Sequence, residues 1–204
     1  MMERGLLIVI SGPSGAGKGT ICKELIRKGK CWLSISATTR SPREGEVDGE
    51  NYYFLSKEEF ADKIKNNEFL EYAQVYNNYY GTPKKNIEEK LDAGIDVILE
   101  IDIQGALQVK EVWKEGVYIF ILPPSMEELK KRIINRGSET EESLNTRFNS
   151  AYSELNYMGK YNYAVINDEV ETAVQKIESI IMAEKCRVHR VKNNYLNKEA
   201  KIND

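Results

Sequence analysis

The segment Gly5–Thr20, GLLIVISGPSGAGKGT, constrains the fold more than any other stretch of the chain. Leu6-Leu7-Ile8-Val9-Ile10 is an apolar, β-branched run bounded by glycines, the pattern of a strand buried on both faces. It enters Gly12-Pro13-Ser14-Gly15-Ala16-Gly17-Lys18, and a helical pattern carrying Ile21, Leu25 and Ile26 begins at once. Strand, glycine-rich turn and helix N-terminus together make an anion cradle. Glycines let successive backbone N–H groups turn inward, the helix dipole adds partial positive charge, and Lys18 adds a full one. G-x-x-x-x-G-K is therefore met in the context it requires, and the loop is expected to bind the phosphates of a nucleotide. A turn that merely joined a core strand to a helix would give no reason for a lysine after three glycines. The next position, where a Ser or Thr hydroxyl ordinarily meets Mg²⁺, holds Gly19, with Thr20 one place later. Phosphate cradling survives this change because it uses backbone and lysine. Direct metal ligation by that side chain does not.

The rest of the chain alternates buried strands with helices, which specifies a parallel α/β core. Strands are expected at Cys31–Ser36, Asp96–Ile101, Val117–Leu122 and Tyr163–Ile166. Thr82-Pro83 should open a helix as N-cap and first position, closed by Gly94. Gly105–Trp113 is helical in pattern, and Ser125-x-x-Glu128 is a capping box that starts another helix. A long helix is expected with Leu144, Phe148, Ala151, Leu155 and Met158, and a last one with Val170, Ala173, Val174, Ile177 and Ile181. From about His189 the tail is polar and expected to fray. Between Ala37 and about Asn86 the chain turns polar and aromatic. Ser56-x-x-Glu59 caps a short helix there, and Phe69–Val75 and Tyr79-Tyr80 flank the hairpin signal Asn77-Asn78. Short strands with one small helix suggest an antiparallel insertion beside the main sheet.

A chain of 204 residues suits one domain, or one core with insertions. Its net charge of −3 argues against broad binding to nucleic acid or to membrane surfaces, so a polyanionic substrate must meet a local basic cluster. Cys22, Cys31 and Cys186 imply neither a disulfide framework nor a zinc site. With no signal peptide or long apolar run, a cytoplasmic protein is expected. Arginine clusters outside the core in two places. Arg40 and Arg43 follow the second strand, and Arg132 and Arg136, four apart on one helix face, stand across a polar segment from Arg147. Pairing with Glu139, Glu141 and Glu142 is the alternative for the second group, but two arginine groups on opposite sides of a phosphate loop favour phosphate binding, since arginine forks match phosphate oxygens bidentately. Glu100 and Asp102 lie two apart at a strand's carboxyl end, where open α/β sheets bind ligands, unless one of them caps the next helix. Tyr52 and Tyr80 are strand aromatics whose hydroxyls equally suit phosphate oxygens.

Several motifs in order, S-G-P-S-G-A-G-K, S-I-S-A-T-T-R-S-P-R-E-G-E-V-D-G, F-L-E-Y-A, Y-Y-G-T-P, L-E-I-D-I-Q-G and R-G-S-E-T-E-E-S, resemble the guanylate kinase family over roughly residues 5–187. The resemblance implies a P-loop parallel five-stranded core flanked by helices, a mixed β GMP-binding insertion and a small mobile lid. On this sequence that means a core of residues 1–36, 87–136 and 148–188, an insertion of 37–86, a lid of 137–147 and a polar tail of 189–204. It implies transfer of the ATP γ-phosphoryl to GMP with Mg²⁺. The P-loop residues Gly12, Pro13, Ser14, Gly15, Ala16, Gly17, Lys18, Gly19 and Thr20 would hold ATP. Ser36, Arg40, Arg43, Tyr52, Glu71, Tyr80, Thr82, Glu100 and Asp102 would form the GMP site, with the arginines and tyrosines on its phosphate. Arg132, Arg136 and Arg147 would serve ATP and the transferring phosphoryl, and Glu100 or Asp102 the outer shell of Mg²⁺. Asn167 matches the family's adenine-side loop, though a turn asparagine is equally consistent. Gly19-Thr20 is closer to the adenylate kinase loop ending, and Thr82 and Glu100 stand where the family often has serine and aspartate. Another nucleoside monophosphate kinase, or a non-catalytic guanylate-kinase-like binding module, are the alternatives.

Overall fold

The structure is a computed structural model that describes residues 4–29, 31–75, 77–134, 148 and 150–192. In chain order it runs β1 (Leu7–Ser11), α1 (Lys18–Arg27), β2 (Cys31–Leu33), β3 (Ala37–Thr38), β4 (Tyr53–Phe54), α2 (Lys57–Lys65), β5 (Phe69–Val75) and β6 (Asn78–Pro83). Then come α3 (Lys84–Asp92), β7 (Asp96–Glu100), α4 (Ile103–Val112), β8 (Val117–Leu122), α5 (Met126–Ile134), a 3₁₀ turn (Leu155–Lys160), β9 (Tyr163–Ile166) and α6 (Val170–Lys185). Five strands form one parallel sheet in the order β2-β7-β1-β8-β9.

β1 is central, and its alternation decides the layers. Ile8 and Ile10 face one side, where they meet Ile21 and Leu25 of α1 and Val174 and Ile177 of α6. Leu7 and Val9 face the other, against Ile87 and Leu91 of α3 and Ala106 and Val109 of α4. All of these are buried. Each such side chain contributes roughly 1.5–3 kcal/mol through burial, so two-sided coverage stabilises a strand with no polar face. α1 and α4 leave the carboxyl ends of β1 and β7 on opposite faces, which opens the crevice where sheets of this kind bind ligands.

A second, four-stranded sheet has the order β4-β3-β6-β5. It is mixed, as the family resemblance implies, and not wholly antiparallel as the residue pattern suggests, because β3 pairs with β4 in parallel and with β6 antiparallel. β5 and β6 form the expected hairpin. Phe60 of α2 stacks on Phe69 at 4.5 Å and on Tyr79 at 5.6 Å, giving this sheet its own small core.

Several element boundaries differ from the sequence expectations, each for a local reason. β2 ends at Leu33, not Ser36, because residues 34–36 carry the chain from one sheet to the other. Ser34 N–H still donates to Ile98 of β7, whereas the Ser36 carbonyl accepts from Tyr53 N–H at the edge of β4. Thr82 is not a helix cap. It lies in β6 with its hydroxyl turned to Glu71, and Pro83 takes the N-cap position of α3. α2 has the complete capping box, with Ser56 and Glu59 bonded reciprocally. At α5 only half of it forms: Ser125 accepts from Glu128 N–H, while the Glu128 carboxylate turns to Arg132. Residues 150–154 are helical, but the expected long helix gives way to the 3₁₀ turn at Leu155; Leu144 lies outside the described residues. α6 extends to Lys185, beyond Ile181. Residues 188–192 are helical, so the start of the tail does not fray as expected; the rest of the tail, 193–204, lies outside the described residues. Among the described residues no helix is long and apolar enough to cross a membrane.

Candidate active site

The P-loop turns where glycine alone fits. Gly12 has φ +141°, and a Cβ there would stand 2.3 Å from the Ile121 carbonyl oxygen of β8. Gly17 has φ +91°, and a Cβ there would meet Asn167 Nδ2 at 2.2 Å. Asn167 is buried and donates from Nδ2 to the Ala16 carbonyl at 2.8 Å, while its own N–H donates to Leu122. The loop is thus fastened to the end of the sheet by an asparagine side chain. Lys18 opens α1, and its ammonium curls over the loop to donate to the carbonyls of Gly12 (2.6 Å) and Pro13 (3.1 Å).

A cleft lies on each side of this loop. One, of about 210 Å³, is lined by Gly12, Lys18, Gly19, Glu100, Asp102 and Glu154, among others. The other, of about 340 Å³, is bounded by Gly15, Gly17, Thr20, Arg132, Asn167 and Asp168. Glu100 stands against Gly19, where a Cβ would lie 3.3 Å from its Oε1. Asp102 is the N-cap of α4 and accepts from Gly105 N–H at 2.7 Å, so the capping reading of this residue holds even as it lines the cleft. Arg132 pairs with Glu128 at 3.0 Å and reaches the Asn167 carbonyl from both terminal nitrogens at 3.4 Å. Arg136 and Arg147 lie outside the described residues.

In the second sheet Arg40 is clasped by Glu46, with two N–H···O bonds of 2.9 Å. Its guanidinium also donates to the Ser41 carbonyl and lies 5.5 Å from the Tyr52 ring centre. Tyr52 meets Tyr80 edge to face at 6.1 Å. Glu46 accepts the backbone N–H of Arg43 at 2.7 Å and is held below the usual carboxylate range, chiefly by its bonds with Arg40. Arg43 is exposed, Ser36 half-buried. Glu71, on β5, is 7 % exposed, accepts the Thr82 hydroxyl at 2.5 Å and lies against Gly105 of α4.

Guanylate kinase sequences match this chain closely. The family model described as "Guanylate kinase" covers residues 4–184. A guanylate kinase of Clostridium tetani is 72 % identical over 195 residues, covering 96 % of this chain and 94 % of that relative. One of Clostridium acetobutylicum is 69 % identical over 205 residues, covering 100 % and 98 %. The chain belongs to the guanylate kinase family. The crystal structure of guanylate kinase from Anaplasma phagocytophilum has the same fold, with a TM-score of 0.78 at 35 % identity over 93 % of this chain and 91 % of that one.

Within this guanylate kinase family member the structure gathers the sequence candidates into two groups, one around the P-loop and one across the β3–β6 sheet. They meet at the first turn of α4, where Asp102 lines the P-loop cleft and Gly105 touches Glu71. Two acidic residues of these groups are not among the sequence candidates, although Glu46 lies inside one of the family motifs. Glu46 is recognisable only through its fork to Arg40, and Glu154 only because 150–154 returns to the Lys18 side of the cleft. Burial raises the Glu154 carboxyl, and the Ser150 hydrogen bond and then the nearby Lys18 oppose that rise.

Burial also pushes the Glu71 carboxyl up to about 7, with Asp102 adding to the rise and the Thr82 bond opposing it. The unfolded chain would titrate this group near 4.5. Between those values the folded protein holds a proton that the unfolded chain has released, so Glu71 contributes stability at low pH that is lost as pH rises to about 7. Thermal denaturation of the ligand-free protein should therefore show wild type losing stability relative to Glu71→Gln between pH 5 and pH 8. Parallel pH profiles of the two proteins would contradict a buried, proton-binding Glu71.

Proposed function

We propose that this enzyme transfers the γ-phosphoryl group of ATP to GMP, giving ADP and GDP, and serves purine nucleotide metabolism and GMP recycling. One observation supports this reading above the others: a single helical turn, Asp102–Gly105, borders both the phosphate loop and a buried carboxylate in the second sheet. A phosphate donor and a base-bearing acceptor could thus be held on one rigid element, which is how positioning contributes to phosphoryl transfer.

In this reading the backbone of Gly12–Gly17 and Lys18 cradle the ATP phosphates, with Thr20 at the loop's end. The cleft beside Arg132 and Asn167 suits the nucleoside end. Asn167 acts by fastening the loop, since its side-chain amide is engaged by Ala16. Arg40, Arg43, Tyr52 and Tyr80 hold the GMP phosphate. To do so Arg40 must exchange part of its Glu46 fork for phosphate oxygens, so Glu46 holds the guanidinium in place until the substrate arrives. Ser36 would aim a hydroxyl at the guanine O6, and Glu71 would accept from N1–H and the 2-amino group. A GMP phosphate oxygen then attacks the γ-phosphorus in line, with Lys18, Arg132, Arg136 and Arg147 neutralising charge as it shifts to the ADP leaving group.

The residues present fit Mg²⁺ bound mostly through nucleotide oxygens and water. Gly19 offers no hydroxyl, and the Glu100 carboxylate stands where one would project, with Asp102 beside it in the same cleft. The ion would shield the negative charge of the ATP phosphates.

Coupled measurement of ADP formation with ATP, Mg²⁺ and each of GMP, AMP, CMP and UMP tests the proposal. ADP should form rapidly with GMP and near background with the others. Preference for AMP would indicate a different monophosphate kinase, and no monophosphate-dependent ADP would indicate a binding module.

A further inference from the structure

Gly105 stands in the first turn of α4, directly against Glu71. A Cβ at this position would lie 2.8 Å from Glu71 Oε2, 3.1 Å from Glu71 Cδ and 3.5 Å from Asp102 Oδ1. The backbone there does not call for glycine. The residue is helical, and it is absent from the glycines with positive φ. At such a position alanine is the better helix former, so a glycine needs another reason.

We propose that Gly105 is a specificity-determining positioning residue, whose missing side chain lets the Glu71 carboxylate lie against the first turn of α4 and face the base of the acceptor nucleotide. The inference rests on the reading of Glu71 as the guanine acceptor. Glu71 is fixed from two sides. The Thr82 hydroxyl of β6 donates to Oε1 at 2.5 Å, and the bare Cα of Gly105 allows Oε2 to approach the helix. The positive end of α4 favours the ionised form, which is the form that can accept two donors at once. Asp102, at the N-cap of the same helix, opposes it. The carboxyl group thus has one seat, in which Thr82 orients it against the first turn of α4, although burial and Asp102 leave the charged form disfavoured overall.

A methyl group on residue 105 would occupy that seat. The atom it meets is the far end of a rotatable side chain rather than backbone, so the fold can yield by letting Glu71 swing away. Stability should therefore hold while recognition fails, a combination that a purely structural glycine would not give.

The test uses the full-length enzyme as wild type, Gly105→Ala, Glu71→Asp and the double variant. Calorimetry gives GMP and ATP affinities, kinetics give the GMP-to-AMP ratio of kcat/KM, and thermal denaturation gives stability. Gly105→Ala should weaken GMP binding roughly tenfold or more, lower the GMP-to-AMP ratio, change ATP affinity by less than about twofold, and leave Tm no lower than in wild type. Glu71→Asp retracts the carboxylate by one methylene, so its effect on GMP should be smaller in the Gly105→Ala background than in wild type. Unchanged GMP affinity in Gly105→Ala, or strictly additive effects in the double variant, would overturn the inference. So would a joint fall of Tm, ATP and GMP affinity, which would mark a glycine required by the fold. If Glu71→Asp alone left GMP binding and base preference untouched, the guanine-reading role of Glu71 would fail first and the inference with it.

Discussion

Replacing Lys18 by methionine is expected to slow phosphoryl transfer by on the order of 10²-fold or more, through loss of several kcal/mol of transition-state stabilisation. The ammonium adds a full positive charge to a cradle of backbone N–H groups, and the loop's own carbonyls, of Gly12 and Pro13, already hold it there. Methionine keeps a stem of similar length, so packing beside the loop is retained while the charge is removed. The sequence alone suggests that stability should hardly change, on the premise of an exposed lysine. The structure revises that premise: Lys18 is half-buried and makes two loop hydrogen bonds, each contributing about 0.5–1.5 kcal/mol. A decrease in Tm of several degrees is therefore expected. Single-turnover measurements at saturating ATP and GMP separate this loss from weaker binding. A normal rate constant in Lys18→Met would remove the lysine from the reaction.

How much of this was legible beforehand follows from the range of each interaction. β8 begins and ends where its apolar run does, because a strand covered on both faces has no polar residue to blur its limits, and the short apolar run of the edge strand β9 is bounded by Asn162 and Asn167. The P-loop is read from contiguous residues for the same reason. Thr-Pro before a helical pattern is a sound local capping signal, and at Thr82 it points to a cap that the fold does not use. A contact across the hairpin, to Glu71, overrides it. The parallel β3–β4 pairing was invisible because two-residue strands carry no periodicity. Glu46 and Glu154 could not be chosen from among the chain's many acidic residues, since their partners are known only after folding. Gly105 passed as an ordinary glycine within L-E-I-D-I-Q-G, because its role depends on which side chain comes to rest against it.

The second large effect concerns the base. Guanine presents N1–H and a 2-amino group side by side, two donors that one carboxylate can accept together. Adenine presents an acceptor at N1 and no 2-amino group, so above about pH 7, where Glu71 is ionised, AMP would leave a buried carboxylate facing a lone pair. Desolvated polar sites reject such misfits by orders of magnitude. Glu71 is buried, oriented by Thr82, and bordered by α4. Glu71→Gln preserves size and the Thr82 contact but exchanges one acceptor oxygen for a donor. It should weaken GMP recognition by roughly 1.5–3 kcal/mol, the range for a charge-assisted hydrogen bond, while ATP binding stays near normal.

The most direct test is kcat/KM for GMP and for AMP in wild type and Glu71→Gln, with ATP and Mg²⁺ saturating. The wild-type ratio should favour GMP by several orders of magnitude, and the variant's ratio should fall chiefly through loss on GMP. A GMP-to-AMP ratio unchanged by the substitution would show that Glu71 does not read the base.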